Sequence, residues 1–109
     1  MRTTDETVTV TDNPGNGRFE IHVGDVLAGF TEYHPRGDRF SFVHTEIGEE
    51  FGGRGLASRL IKGALDEMRA RDIGVLPYCP FVKRYIQRHA DYQDLVPAGE
   101  RAKFEIPAG

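Results

Sequence analysis

The chain has 109 residues, 39% hydrophobic and 28% charged, with a net charge of −3 and a single cysteine. That length makes one domain, 1–109, burying roughly 65% of the surface its unfolded chain exposes, with 1–6 and about 97–109 as flexible ends. Interspersed charge near neutrality argues against an electrostatic nucleic-acid binder, and apolar runs of only a few residues leave no membrane-spanning helix. The acidic residues and the lack of an apolar core in Met1–Asn13 speak against a secretory signal, so the expected location is cytoplasmic.

The first half reads as strands. Thr7 to Asp12 alternates Val8 and Val10 with threonines, and Asn13-Pro14-Gly15-Asn16-Gly17 is dense turn punctuation. Arg18 to Val23 puts Phe19, Ile21 and Val23 on one face and Arg18, Glu20 and His22 on the other. Gly24-Asp25 is a hairpin signal, Val26 to His34 the return strand, Pro35-Arg36-Gly37-Asp38 a turn and Arg39 to Ile47 a fourth strand. The period then changes. From Gly55 to Arg71, Leu56, Leu60, Ile61, Ala64, Leu65 and Met68 recur at helical spacing. Asp72-Ile73-Gly74 breaks that helix, and Ile73 to Leu76 is short and apolar enough for a buried strand. Pro80 to Ala90 is helical again, with Phe81, Val82, Tyr85, Ile86 and His89 on one stripe, and Phe104 to Pro107 ends the chain as an edge segment or an unstructured tail.

The most informative segment is Glu46 to Ala57, where Gly52, Gly53 and Gly55 stand between a strand and a strongly periodic helix. Glycines let backbone N–H groups approach a ligand, and a helix start offers unpaired donors and a positive dipole end. Together they suit a phosphate or pyrophosphate, with Arg54 placed to add a charge-assisted contact. The P-loop pattern fails for want of its lysine. A dinucleotide fingerprint would need glycine where Ser58 stands. A loop that merely turns a corner is the alternative.

Glu50-x-x-Gly53-x-Gly55-x-Ala57, after a strand and opening a helix, resembles the acetyl-coenzyme A pyrophosphate loop of the GCN5-related N-acetyltransferases. The likeness is closest to their minimal single-domain YjdJ-type branch, which has a conserved Cys and Gly. His44-Thr45-Glu46, the segment Pro77 to Val82, and Tyr85 with His89 extend it from about Val8 to Val96. Glu50 departs from the Gln or Arg usual in the superfamily, so binding falls to the backbone amides of Gly53 to Ala57 with Arg54 assisting. The resemblance implies an α/β (α+β) fold: a mixed, mainly antiparallel sheet with two principal helices after the fourth and fifth strands. It also implies that Arg39–Ile47 and Ile73–Leu76 splay apart around the pantetheine of acetyl-CoA. The cofactor-binding residues it implies are Thr45, Ile47, Phe51, Gly52, Gly53, Arg54, Gly55, Leu56 and Ala57.

Three residues are candidates for chemistry. Cys79 precedes Pro80, which restricts it to extended geometry and makes it the N-cap of the last helix. A thiol there is either a reactive group favoured as thiolate or a small buried hydrophobe. His44, on a strand face with Phe40, Phe42 and Glu46 by two-residue alternation, is a candidate general base, and Glu46 is the second. An amine acceptor needs such a base, because at a pKa near 10.4 only about one amine in a few thousand is neutral at pH 7. Four scattered histidines and one cysteine give no metal-ligand spacing. The expectation is an acetyl-CoA-dependent N-acyltransferase acting on an unidentified amine of a protein or small molecule. It uses no metal, nucleic acid or membrane, and it is a monomer or weak dimer whose open acceptor site a protein partner completes. The alternative is a CoA-binding module without turnover.

Overall fold

Alternation gives each strand one apolar face to bury, and five strands satisfy that need by lying side by side in chain order. The computed structural model describes residues 7–107; the expected flexible residues 1–6, with 108–109, lie outside them. The elements are β1 (Val8–Asn13), β2 (Arg18–Val23), β3 (Val26–Arg36), β4 (Arg39–Ile47), α1 (Leu56–Ala70), β5 (Gly74–Pro77) and α2 (Pro80–Arg88). The β1–β2, β2–β3 and β3–β4 pairs are antiparallel, whereas β5 joins β4 in parallel after the α1 crossover. This is the expected α+β fold with a mainly antiparallel sheet.

The helical stripe read from the sequence is the one α1 buries: Leu56, Leu60, Ile61, Ala64, Leu65 and Met68. It packs on the sheet face that carries Phe19, Ile21, Tyr33, Phe40 and Phe42, all buried. The aromatic rings of that face touch one another, with Tyr33 stacked on Phe40 at 4.6 Å and Phe19 on Phe42 at 6.3 Å. The Tyr33 hydroxyl donates to Asp12, whose second oxygen accepts from Arg71 at 3.0 Å. Burial and the Asp12 carboxylate both push the Tyr33 phenol far above its ordinary range, so it holds its proton in this network.

Two segments differ from the sequence reading. Pro35 and Arg36 stay in the ladder opposite Phe40 and Arg39, and the turn is only Gly37-Asp38. Gly37 has φ of 63°, which a primed two-residue turn requires, and the exposed end of β3 tolerates a proline. The tail forms neither an edge strand nor a free end. After short 3-10 turns at Ala90–Leu95 and Ala98–Glu100, Val96, Phe104 and Ile106 are buried. Phe104 meets Tyr78 edge-on at 4.9 Å, and Glu105 pairs with Lys83 of α2 at 3.2 Å. Apolar contact, rather than a sheet ladder, fixes this end of the chain.

Gly29 faces Ile47 across β3 and β4 so closely that a Cβ there would lie 2.3 Å from the Glu46 carbonyl oxygen. Backbone cannot yield as a side chain does. Gly29→Ala is therefore expected to cost about 1–3 kcal/mol, read as a lowered urea midpoint with an unchanged slope.

Glu20 generates a pH prediction. Burial would raise its carboxyl, but hydrogen bonds from Arg18 at 2.8 Å and Asn13 at 3.0 Å bring it below its ordinary value of 4.5. Those bonds stabilise the fold above that value, and their contribution is lost as pH falls through the lowered one. Urea titrations between pH 6 and 3 are expected to show a shallower acid loss for Glu20→Gln than for the parent chain.

Candidate active site

The β4–β5 ladder is short. It pairs Arg39 with Gly74, Phe40 with Val75, Ser41 with Leu76 and Phe42 with Pro77, and there it stops. β4 runs on to Ile47, so among the described residues the edge of Val43–Ile47 that faces away from β3 has no strand beside it. Both strands carry a reason to part. Pro77 has no N–H to continue the ladder, and the Tyr78 N–H closes a tight turn onto the Leu76 carbonyl at 3.0 Å. On the other side, β4 pairs Phe42 with Tyr33 but His44 with Glu32, leaving Val43 as a bulge residue.

That bulge corrects the expected placement of His44. Phe40 and Phe42 point into the core, whereas His44 is exposed and points to the opposite face of the sheet. The extra residue shifts the alternation by one, so it is Thr45, not His44, that faces inward with Phe42. His44 and Glu46 still share a face: Nε2 lies 2.7 Å from Glu46 Oε2, and the ring is 6.2 Å from that of Phe30. Beside this pair a cavity of about 170 Å³ is lined by Leu27, Phe30, Glu46 and the glycines Gly29 and Gly48.

Cys79 is the N-cap of α2, with ψ of 126° and Pro80 following, as the sequence indicates. Its N–H donates to the Phe42 carbonyl at 2.8 Å, and its carbonyl accepts from Lys83 at 2.9 Å. Cys79 is 4% exposed, and its thiol lies 3.4 Å from the Thr45 hydroxyl, which is in turn 2.9 Å from the hydroxyl of fully buried Thr31. The structure thus brings Thr45 to Cys79 and keeps the His44–Glu46 pair on the far side of β4.

The glycine loop lies at the open end of the gap. Gly53 and Gly55 have φ of 78° and 71°, and a Cβ on either would meet nothing within 4 Å. They are required by conformation, and they leave clear space in front of the loop. Among the described residues no side chain caps α1, and the Arg59 N–H donates to the Gly55 carbonyl, so the Leu56, Ala57 and Ser58 amides have no acceptor within the helix. A cavity of about 280 Å³ opens here. Of the expected cofactor-binding residues, all but Thr45 and Arg54 line it; the Arg54 guanidinium lies over the Phe51 ring at 5.8 Å.

Ser58 and Phe81 also line this cavity, and the sequence reading missed both. Ser58 could have been found from its place in the first turn of α1, where side-chain and backbone donors converge. Helical spacing puts Phe81 on one stripe with Val82, Tyr85, Ile86 and His89, but α2 buries only Val82, Tyr85 and Ile86, and Phe81 is 41% exposed. His89 caps the helix, stacking on Tyr85 at 3.9 Å and bonding its carbonyl at 2.7 Å. Among the described residues no three His, Cys, Asp or Glu side chains gather as a metal site, and no helix is long and apolar enough to cross a membrane.

A mainly antiparallel sheet that opens after a parallel pair, beside a glycine loop leading into a helix, defines an acetyltransferase-like architecture. It is similar to the solution structure of a GCN5-like candidate N-acetyltransferase from Staphylococcus aureus. That match has a TM-score of 0.62 at 20% identity, over 81% of this chain and 86% of that one. A second similar structure is Ard1 from Thermoplasma volcanium, with a TM-score of 0.47 at 17% identity, over 52% of this chain and 39% of that one. No curated protein matches the sequence. Residues 18–95 match the family model described as GCN5-related N-acetyl-transferase, and the chain belongs to that family.

The burial of Cys79 makes a direct prediction. Its thiol is expected to react with Ellman's reagent at least tenfold more slowly in the native chain than in 6 M urea. Equal rates would mean that the thiol is open.

Proposed function

We propose that the chain is an acetyl-CoA-dependent N-acyltransferase that moves the acetyl group to an amine. The observation that carries this reading is the gap between β4 and β5, continuous at its open end with the glycine-loop cavity. The residues fit the ligand. The free amides of Leu56, Ala57 and Ser58 and the bare faces of Gly53 and Gly55 suit a pyrophosphate, with Arg54 assisting by charge. The unpaired edge of β4 at Thr45 and Ile47 offers backbone groups to the pantetheine amides, and Phe51 and Gly52 wall the passage.

The acceptor amine comes from the other face of β4, beside Phe30, where His44 and Glu46 stand. His44 takes the amine proton as the nitrogen attacks the thioester carbon. Glu46, whose Oε2 lies 2.7 Å from the ring Nε2, orients the imidazole. The carbon–sulfur bond then breaks and CoA leaves as its thiolate.

Direct attack is favoured over a relay through acetyl-Cys79 by the position of the thiol. It is buried against the Thr45 hydroxyl, with His44 and Glu46 across the strand, and a nucleophilic cysteine needs a base or cation beside it. Cys79 then closes the inner end of the gap.

The reading is tested by titrating the chain with acetyl-CoA and following CoA release against a panel of amines and cellular protein extracts. Micromolar binding with release for some acceptor is expected, whereas absence of binding to any CoA thioester overturns it. Binding without release would leave a CoA-binding module. His44→Ala is expected to lower kcat about 10²- to 10⁴-fold with little change in acetyl-CoA affinity. Cys79→Ser should keep turnover within tenfold, and mass spectrometry after acetyl-CoA alone should find no acetylated Cys79.

A further inference from the structure

A second cavity, of about 210 Å³, is lined by Ser58, Phe81, Arg84, Tyr85, Arg88 and His89. It shares Ser58 and Phe81 with the glycine-loop cavity, so the two form one trough that runs from the loop along the exposed side of α2. Arg84 and Arg88 are both exposed and stand one turn apart on that helix, about 6 Å along its axis. Like charges at that spacing are mildly unfavourable on a helix, and no described carboxylate relieves them. Arg18, Arg39, Arg69 and Arg71 each pair with a carboxylate; among the described residues Arg36 and Arg59 do not, but only Arg84 and Arg88 stand together in the lining of one cavity. The chain as a whole is acidic, so this pair of unneutralised guanidiniums does not follow from its composition.

Two adjacent guanidiniums with unused donors match a doubly charged phosphate monoester, which accepts forked hydrogen bonds from each. CoA carries such a group on its ribose, a short way beyond the pyrophosphate. Resting on the acetyl-CoA reading above, we propose that Arg84 and Arg88 bind the ribose 3′-phosphate and make the chain select CoA over dephospho-CoA. Phe81, exposed where the two cavities meet, presents an apolar ring to the adenine side of the same ligand.

The test is calorimetric titration of the full chain with CoA and with dephospho-CoA at low salt. It is repeated with an R84Q/R88Q double variant whose fold is checked by circular dichroism. CoA is expected to bind roughly 10- to 100-fold more tightly than dephospho-CoA, with the difference shrinking as salt rises. R84Q/R88Q should bring CoA down to the dephospho-CoA level, and R84K/R88K should keep part of the preference. Equal binding of the two ligands to the parent chain overturns the proposal and leaves the acetyl-CoA reading standing. A preference that survives in R84Q/R88Q overturns it too. Binding of neither ligand overturns both. If the glutamine variant does not fold, a preference in the parent chain that is indifferent to salt overturns the proposal.

Discussion

The hydrogen bond from the Cys79 N–H to the Phe42 carbonyl, 2.8 Å long, is the constraint on which the site depends. It stands at the last rung of the parallel ladder and ties the start of α2 to β4 where the two strands separate. Phe42 is a fixed anchor because its ring is buried against Phe19 and Tyr33. Beyond this rung each strand follows its own instruction. Two prolines within four residues turn the β5 end into a helix start, while the Val43 bulge and the Gly29–Ile47 close approach keep β4 on β3. The gap is therefore built from covalent restrictions and close packing.

A sheet normally protects its edges by pairing them, and an unpaired edge next to apolar surface invites association. Here the unpaired stretch is five residues, Val43 to Ile47, and it leads into a loop whose Gly52, Gly53 and Gly55 carry no side chain. The same absence of side chains leaves the first amides of α1 unmet. Hydrogen-bonding capacity without internal partners has accumulated along one continuous path, from the β4 edge to the loop to the basic side of α2. Such capacity is costly to leave unused in a chain of this size. An extended ligand with amides in its middle and phosphates at its end would satisfy all of it.

How much of this is legible in the sequence depends on whether local chemistry or tertiary contact decides each position. The loop conformation is local: positive φ at Gly53 and Gly55 is something only glycine adopts freely, so the residues announce it. Cys79 as N-cap is local as well, fixed by Pro80. The buried stripe of α1 follows from helical spacing. The face of His44 is not local. Alternation from Phe40 and Phe42 carries it inward, and only the register with β3 reveals the extra residue at Val43 that turns it outward. Phe81 is similar, since its apolar character fits the stripe of α2 while its exposure depends on the α1 start opposite it. The tail was illegible for the same reason, because Phe104 needs Tyr78 to pack against.

The reversal at Val43 bears on the chemistry. A strand is one residue thick, so Thr45 can meet Cys79 on one face while His44 and Glu46, its chain neighbours, meet solvent on the other. In a closed sheet those two environments would be separated by the next strand. Among the described residues there is none beside Val43–Ile47, so a thioester placed along that edge, as proposed, would be reachable from both faces at once. The buried side presents a dry, shaped wall of Thr31, Thr45 and Cys79, and the wet side presents the exposed His44–Glu46 pair, which on the proposed reading supplies the base. Acyl transfer to an amine asks for this division, since the thioester must be held still while the nucleophile loses a proton. The sheet makes this division possible by opening one edge beyond the last rung of its parallel ladder.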